Sequence, residues 1–267
     1  MATYLDRILA AHRAAAADDP RPIESLIDQA RHAAAAPARP FTDRIATESA
    51  GGEGRGRLAV IAEVKRRSPS KGDIDAGLDP TVLAKAYAEG GATCLSVLTD
   101  GEFFGGSETD LADARAAVDL PVLRKDFTVS EADVCDARLM GADAVLLIAA
   151  ALDDGELSAF AALAGELGLD SLVEVHDEAE LERAVAVGAR LIGVNQRDLV
   201  TFEVDTNRAV RVAAAMPAGI VKVAESGVQN GDDVRALRDA GFDAVLVGEA
   251  LVRSGDPAGA VGALRCS

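Results

Sequence analysis

The sequence predicts a closed (β/α)8 barrel, the TIM-barrel class, preceded by extra N-terminal helices. The first observation is a phrase that occurs four times, a helix-ending glycine followed by a short apolar strand, at 91–97, 141–147, 188–194 and 241–247. The second is another set of apolar strands, one ahead of each copy, at 58–64, 121–124, 171–175 and 219–224. Eight strands that alternate with helices are typical of a parallel sheet.

The third observation is the parity of the strand ends. Odd-numbered strands end in charged residues, namely Glu63 and Lys65, Lys125, Glu174 and Glu225, whereas even-numbered strands end mostly in apolar ones. A closed barrel fills its interior in layers contributed by alternate strands, which an open doubly wound sheet does not do. We therefore expect four of these side chains to form one polar layer near the C-terminal mouth: Glu63, Lys125, Glu174 and Glu225.

Ahead of the first strand, apolar spacing predicts two helices, over 4–17 and 23–36. The glycine-rich run over 47–57 is predicted to be a flexible connector. It contains Gly-Glu-Gly-Arg-Gly, but a nucleotide-binding loop follows a strand and this run precedes one. We therefore predict a single barrel domain over 1–267, in which residues 1–57 form a helical extension and connector.

The composition argues against several functional classes. The net charge is −17 and aromatic residues make up 3% of the chain, whereas nucleic-acid binding requires a basic face and stacking rings. No apolar run has membrane-spanning length and no signal-peptide pattern is present, so we expect a cytoplasmic protein without a membrane partner. The three cysteines, and the histidines His12, His32 and His176, have no ligand spacing. We therefore expect reduced thiols and no metal site.

The stretch 61–72 is the first to suggest chemistry. Glu63 and Lys65 lie two residues apart at the end of an apolar strand, so both side chains point to the same side. Buried charges are costly unless they pair or serve a function. A salt bridge at a strand end would account for the pair alone, but the predicted polar layer makes it a candidate site. A turn-prone loop, Ser-Pro-Ser-Lys-Gly, follows at once.

Seven motifs follow one another over nearly the whole chain, at 62–72, 98–107, 121–127, 172–176, 192–199, 224–227 and 247–251. In these motifs the chain resembles the indole-3-glycerol phosphate synthases, tryptophan-pathway lyases built on a (β/α)8 barrel. The resemblance implies conversion of 1-(2-carboxyphenylamino)-1-deoxyribulose 5-phosphate into indole-3-glycerol phosphate, carbon dioxide and water without a cofactor. The main departure is Arg67, which stands where a smaller residue is common.

The resemblance assigns the chemistry to charged residues of the mouth. By resemblance Lys125 protonates the substrate carbonyl, and we expect partial burial to lower its pKa while neighbouring carboxylates set it. Glu174 is the base or proton shuttle for dehydration, and Glu63 holds and tunes the lysines. Lys65 contacts the anionic substrate and donates a proton in the later step. Glu225 either acts as a charge partner behind the site or takes part directly. A buried structural ion pair is the alternative for Lys125 and Glu174.

The phosphate is expected in the loops after strands seven and eight, because barrels often bind phosphate there at a short helix N-terminus. Ser226-Gly227 and Gly248-Glu249 occupy these places, and glycine allows close backbone approach. We expect Glu249 to turn its carboxylate away and offer only its N–H. By resemblance Ser68 is a third contact. Ordinary turns between strand and helix are the alternative for the glycines.

The anthranilate ring of the substrate needs an apolar slot. We expect Phe104, Phe127 and Leu147 to line it, with plain core packing as the alternative. Asn195 and Arg197 close strand six, where Arg197 is expected either to bind an anionic group or to brace a loop.

Three other functions are considered. A sibling phosphate-binding barrel such as phosphoribosylanthranilate isomerase needs one acid and one base, so the full set of two lysines and two glutamates argues against it. A non-catalytic barrel paralogue is expected to lack one of the lysines, and both are present. The same reaction on a substituted anthranilate is compatible with the sequence. The expected partner is a small phosphorylated molecule, and the expected state is a monomer or a weak homo-oligomer.

Overall fold

A computed structural model describes residues 3–33, 38–51, 57–68, 72–197 and 203–266. Eight parallel strands close into one barrel, in which each strand pairs with its neighbours in sequence and the last pairs with the first. The strands are β1 Ala59–Val64, β2 Cys94–Leu98, β3 Val122–Lys125, β4 Ala144–Ile148, β5 Asp170–Val175, β6 Leu191–Asn195, β7 Val221–Glu225 and β8 Ala244–Val247. The predicted (β/α)8 fold is confirmed.

Helices follow the strands. They are α4 Pro80–Gly90, α5 Glu108–Ala117, α6 Glu131–Leu139, α7 Asp154–Glu166, α8 Glu178–Ala186, α9 Thr206–Ala215, α10 Gly231–Asp239, the short α11 Glu249–Val252 and α12 Pro257–Arg265. All but α11 begin after an Asp, Asn or Ser whose side chain accepts a hydrogen bond from a first-turn N–H. These caps determine where each helix starts. A two-residue hairpin, Arg67–Ser68 with Gly72–Asp73, follows β1, and a 3₁₀ turn, Ala149–Ala151, follows β4.

The repeated phrase works at the N-terminal end of the barrel, which we call the floor. Its glycine ends a helix in the left-handed region, with φ of 89° at Gly91, where an L side chain would be strained. Its third residue can then cap the neighbouring strand. Asp143 Oδ2 accepts from the Val122 N–H at 2.9 Å, and Asp243 Oδ2 accepts from the Lys222 N–H at 2.8 Å. The phrase therefore ends a helix and fixes the start of a strand.

Three helices precede β1, namely α1 Tyr4–Ala17, α2 Ile23–Ala33 and α3 Phe41–Ala50. The prediction of two helices is wrong, because α3 occupies the start of the supposed connector. Its threonines and serine have weak helix propensity. Burial holds it instead, since Phe41 and Ile45 are fully buried. The predicted end of α2, at 34–36, and the glycine-rich run at 52–56 lie outside the described residues.

The leading segment runs from the mouth of the barrel to the floor. α1 lies at the mouth, where the rings of Tyr4 and Phe103 meet edge-on with centroids 6.0 Å apart. α2 packs against α6 on the outside of the barrel. α3 covers the floor, where the Thr42 N–H donates to Asp170 Oδ2 at 2.9 Å. Of the leading helices, α1 therefore lies at the mouth and α3 at the floor.

Two further observations concern the whole chain. Among the described helices, none combines the length and apolar character that crossing a membrane requires. The three cysteines are free thiols, of which Cys94 and Cys135 are buried and Cys266 is exposed. The division at residue 57 into an extension and a barrel stays a prediction.

Candidate active site

The C-terminal ends of the strands surround a cavity of about 820 Å³ at the mouth of the barrel. All predicted site residues but Leu147 line this cavity. They are Glu63, Lys65, Ser68, Phe104, Lys125, Phe127, Glu174, Asn195, Arg197, Glu225, Ser226, Gly227, Gly248 and Glu249. Charged side chains from all the odd strands meet here. The layer that strand parity predicted is therefore present.

Leu147 is the exception, and the prediction for it is wrong. Its side chain is fully buried and does not line the cavity, whereas its neighbours Leu146 and Ile148 do. Consecutive side chains of a strand point to opposite faces, so β4 directs Leu147 toward the helices. The apolar wall at this point of the cavity is formed by Leu146 and Ile148.

Lys125 lies at the centre of the charged layer. Its Nζ donates to Glu174 Oε2 at 3.2 Å and lies 3.6 Å from Glu225 Oε2. Burial lowers the pKa of Lys125, but the charges of Glu174, Glu225 and Glu63 outweigh burial, so the pKa is raised above its usual value. The expected lowering of this pKa is wrong, because the sequence did not reveal how many carboxylates lie around one ammonium group.

The two glutamates beside Lys125 have pKa values that are shifted in opposite directions. Burial raises the pKa of Glu174, but Lys125, His176 and a hydrogen bond from Asn195 at 3.1 Å lower it overall. For Glu225, burial and the neighbouring Glu174 raise the pKa to about 8, and Lys125 lowers it only in part. Two carboxyl groups this close do not both ionise readily. At neutral pH these shifts favour the ionised form of Glu174 and the protonated form of Glu225.

Glu63 and Lys65 form a second ion pair at the end of β1. Lys65 Nζ lies 2.5 Å from Glu63 Oε1, and the Glu63 carbonyl accepts from the Tyr87 hydroxyl at 3.1 Å. Gly248 lies against this carboxylate, because a Cβ on Gly248 would come within 2.5 Å of Glu63 Oε1. The absence of a side chain at Gly248 therefore leaves room for the Glu63 carboxylate at the mouth.

Asn195 connects the charged layer to the loop after β7. Its Nδ2 donates to Glu174, and its Oδ1 accepts from the Ser226 hydroxyl at 2.9 Å. Ser226 has φ of 65°, the only described residue other than glycine in the left-handed region. Gln196 Nε2 donates to the Ser226 carbonyl at 2.8 Å and helps to hold this conformation. The loop that carries Ser226 and Gly227 is thus held by side chains at the end of strand six and just after it.

The second candidate phosphate loop follows β8 and leads into α11. Gly248 precedes the first residue of α11, Glu249, so the N-terminus of that helix faces the cavity. The Glu249 carboxylate lies 3.4 Å from Arg253 Nε, one turn further along. That this carboxylate turns away from a bound anion stays a prediction. Arg253 also lines the cavity, and its spacing of four from Glu249 was the signal that could have identified it.

An aromatic pair forms one wall of the cavity. The ring centroids of Phe104 and Phe127 lie 6.3 Å apart. The ring of His12, which lies on α1, has its centroid 5.5 Å from that of Phe127. Leu98 and Leu246 contribute further apolar lining. A flat aromatic ring can bind between these groups and the charged layer.

His176 was considered only as a metal ligand and was missed as part of the site. Its Nδ1 lies 3.0 Å from Glu180 Oε2, and its Nε2 lies 3.6 Å from Glu174 Oε1. Burial lowers the pKa of His176, but Glu180 and Glu174 raise it overall. Its position two residues after Glu174 was the available signal, since both side chains point to the same side.

One group of described residues has the spacing of a cation site. Ligand atoms of His12, Asp100 and Asp126 all lie within 4.8 Å of one another. Their polar atoms already have partners, because His12 Nε2 lies 2.9 Å from Asp100 Oδ2 and Arg124 Nη2 donates to Asp126 Oδ2 at 3.1 Å. We therefore describe this group as a hydrogen-bonded cluster.

Fold and site together define an acid–base enzyme of the (β/α)8 barrel class that acts on an anionic small molecule. The family model for indole-3-glycerol phosphate synthase matches residues 5–264. The chain belongs to the indole-3-glycerol phosphate synthase family, and its class is that of the carboxy-lyases.

Relatives agree with this family assignment, and a solved structure agrees with the fold. The chain is 58% identical over 203 residues to an indole-3-glycerol phosphate synthase of Nocardioides, a match that covers 76% of this chain and 78% of the relative. It is 49% identical over 261 residues to that of Mycobacteroides abscessus, covering 97% and 92%. A thiamine phosphate pyrophosphorylase structure from Pyrococcus furiosus matches with a TM-score of 0.60 at 19% identity, covering 78% of this chain and 94% of that one. The last match concerns the fold alone.

Proposed function

We propose that the chain converts 1-(2-carboxyphenylamino)-1-deoxyribulose 5-phosphate into indole-3-glycerol phosphate, carbon dioxide and water, with Lys125 as the acid for ring closure. The observation that carries this proposal is the position of Lys125 Nζ, 3.2 Å from Glu174 and 3.6 Å from Glu225 inside the mouth cavity. The ammonium group and the two carboxyl groups can hold and move protons at one place.

Ring closure begins when the ring carbon that bears the carboxylate attacks the ketone carbon. Lys125 donates a proton to the ketone oxygen, which becomes a hydroxyl. Carbon dioxide then leaves from the attacking carbon, and the aromatic ring is restored. Loss of the hydroxyl as water, together with one proton, completes the indole. Two of these steps need an acid and one needs a base.

The raised pKa of Lys125 keeps the ammonium group charged at neutral pH. Lys125 therefore carries the proton that ring closure requires. Once the proton has moved to the substrate, the neutral amine lies beside Glu225, which holds a proton at neutral pH because its pKa is raised to about 8. Glu225 is thus placed to return a proton to Lys125, the direct role that the sequence left open.

Dehydration is assigned to the second set of groups. Glu174 is ionised at neutral pH and acts as the base, because Lys125, His176 and Asn195 stabilise its charge. Lys65 donates the proton to the leaving hydroxyl, and Glu63, 2.5 Å from its Nζ, holds it in place. The acid and the base come from different strands, so the substrate can lie between them.

The anionic ends of the substrate are assigned to separate groups of the cavity lining. The phosphate binds backbone N–H groups at Gly227 and Gly248, with Ser68 as a further contact, near the N-terminus of α11. The carboxylate binds Arg197, beside Asn195 on strand six. The anthranilate ring lies against the wall of Phe104 and Phe127. These assignments rest on the lining of one cavity and on the family.

The test is a product assay with the purified chain. Incubation with the carboxyphenylamino-deoxyribulose phosphate is expected to yield indole fluorescence together with one carbon dioxide per indole. Phosphoribosylanthranilate, the substrate of the sibling isomerase, is expected to remain unchanged. Binding without turnover would instead support a non-catalytic barrel, and turnover of phosphoribosylanthranilate alone would support the isomerase.

We further propose that the enzyme acts in the cytoplasm as a monomer or a weak homo-oligomer. Three free thiols support a reducing compartment. The large apolar side chains that are exposed among the described residues are few: Val82, Leu139, Val204 and Val210. A stable dimer interface normally has a larger contiguous apolar patch. Light scattering after size-exclusion chromatography at several protein concentrations would measure the oligomeric state.

A further inference from the structure

His12 is a polar anchor of α1 on the barrel mouth. The helix has one fully buried side chain, Ile8, and Leu9 packs against the core beside it. The His12 ring lies in a polar and aromatic contact, with Nε2 2.9 Å from Asp100 Oδ2 and 3.9 Å from Asp126 Oδ1. The same ring lies 5.5 Å from the Phe127 ring. One residue of α1 therefore contacts the loops after both β2 and β3.

Both aspartates are connected to residues of the site. Asp100 Oδ1 accepts from the N–H groups of Phe103 and Phe104, at 2.6 and 3.0 Å. The second aspartate, Asp126, directly follows Lys125 in sequence and accepts from the Phe127 N–H at 2.8 Å. The two rings of the aromatic wall thus depend on the two carboxylates that His12 contacts. His12 itself lies behind them and does not line the cavity.

The charges of these aspartates matter because both line the cavity. A substrate with a phosphate and a carboxylate would be repelled by them. Asp126 has a cation of its own, since Arg124 Nη2 lies 3.1 Å from its Oδ2. For Asp100, the cation within ion-pair distance among the described residues is His12. Removal of the His12 charge would leave a negative charge at the entrance of the aromatic slot.

We propose that His12 is a positioning residue for the substrate, which ties α1 to the mouth, holds the loops of Phe104 and Phe127, and neutralises Asp100. This inference rests on the proposed function, because it specifies how the ring end of that substrate enters the site. His12 touches neither the substrate nor the reacting atoms. It therefore acts on binding, and its removal raises KM with little change in kcat.

The protonation state of His12 follows from the groups that face it. Burial lowers the pKa of His12, whereas Asp100, Asp126 and the α6 residue Asp133 raise it, with a net increase. Arg124 contacts the same cluster through its ion pair with Asp126. Because the pKa in the folded protein is raised, the charged contact is complete at low pH and is lost as the pH rises through that pKa. KM should rise over the same interval.

The experiment compares His12→Gln and His12→Ala with His32→Gln. His32 lies exposed on α2, where its Nδ1 contacts the Asp28 carbonyl, so it controls for a histidine change in the same extension. Steady-state kcat and KM are measured from about pH 6 to about pH 9 by product fluorescence. We expect both His12 variants to raise KM about three- to tenfold at the acid end with kcat within about twofold. The control should match the wild type.

The pH profile separates a charge effect from a structural one. The wild-type KM should rise with pH toward the value of His12→Gln, whose own KM lacks this rise. When Asp100→Asn is already present, the further change His12→Gln should raise KM by less than about twofold, because the side chain at position 100 then carries no charge. A fall in kcat without a change in KM, or equal effects of His12→Gln with and without Asp100→Asn, would overturn the inference.

A metal-site explanation makes a different prediction. If His12 and the aspartates held a cation, a chelator would reproduce the His12→Ala phenotype in the wild type and added Zn²⁺ would reverse it, which would overturn the positioning role. Wild-type protein without any turnover would instead refute the proposed function. Active wild type with unchanged KM in both His12 variants would refute this inference alone. The melting temperatures of all variants verify that each one is folded.

Discussion

The floor and the mouth of the barrel both bury carboxylates, but they satisfy them differently. At the floor, Asp143 accepts from the Arg39 and Val122 N–H groups and from Arg115, at 2.7 to 2.9 Å. At the mouth, Glu225 is equally buried, yet its Oε1 has no hydrogen-bond partner and its Oε2 lies 3.6 Å from a shared lysine. Buried polar atoms are normally paired. The carboxylate of Asp143 follows that rule, and the carboxylate of Glu225 departs from it at the place where protons must move.

This difference indicates what each set of charges contributes. Hydrogen bonds to fixed backbone donors stabilise the fold and cannot rearrange without unfolding. Carboxylates that compete for one ammonium group leave their protons mobile, at some expense of stability. Gly193 illustrates the adaptation, since a Cβ at that position would lie 2.0 Å from Glu225 Oε1. The absence of a side chain at Gly193 therefore leaves room in the barrel interior for the Glu225 carboxylate.

The largest expected effect is on catalysis at the mouth. Glu174→Gln removes the base and should lower kcat by about 10²–10⁴-fold, with an unchanged circular dichroism spectrum. The matched control is Glu89→Gln on the exposed surface of α4, which should keep wild-type kcat. A Glu174→Gln enzyme with kcat within threefold of the wild type would remove the distinction between mouth and floor.

The corresponding change at the floor should affect stability instead. Asp143→Ala leaves two backbone N–H groups and the Arg115 guanidinium without their acceptor. We expect a loss of about 3–5 kcal/mol in the free energy of unfolding, measured in urea, with kcat per folded molecule unchanged. The fully exposed Asp119, changed to alanine, should unfold like the wild type. A kcat loss in Asp143→Ala that persists after correction for the folded fraction would contradict this division.

A smaller effect is expected in the pH dependence of stability. The pKa of Glu225 is raised from 4.5 to about 8 in the folded protein. The folded state then holds a proton that the unfolded state has released, so the free energy of unfolding falls as the pH rises between these values. Glu225→Gln abolishes that fall. Urea titrations at about pH 5 and pH 8.5 should show that the wild type loses more stability than the variant between these two pH values. An equal change in the free energy of unfolding of both proteins would contradict the raised pKa.

The strands and the polar layer were predictable because they depend on short-range patterns. The helix-ending glycine followed by an apolar strand recurs along the chain, and charged residues recur at the ends of alternate strands. This alternation alone predicted that Lys125 lies among glutamates. The third leading helix was missed, because α3 is held by the burial of Phe41 and Ile45 and not by its own propensity. Leu147 was misplaced because an apolar run on a buried strand does not reveal its phase.

Other features depend on long-range contacts that no single sequence displays. His12 meets Asp100, which lies 88 residues further along the chain. The direction of the Lys125 pKa shift depends on three carboxylates from three other strands. Burial was visible from the sequence and argues for a lowered pKa, but the number of charges at short distance decides the sign. Geometry of this kind follows from the closure of the barrel.

The most direct test of the account is the single-turnover rate of Lys125→Met. With enzyme in excess over the carboxyphenylamino-deoxyribulose phosphate, product fluorescence reports the chemical step, and calorimetry reports substrate affinity. The matched control is Lys85→Met on the exposed face of α4. We predict that Lys125→Met slows turnover about 10²–10⁴-fold while Kd remains near the wild-type value. A variant that keeps more than about a tenth of the wild-type rate would contradict the assignment of Lys125 as the acid.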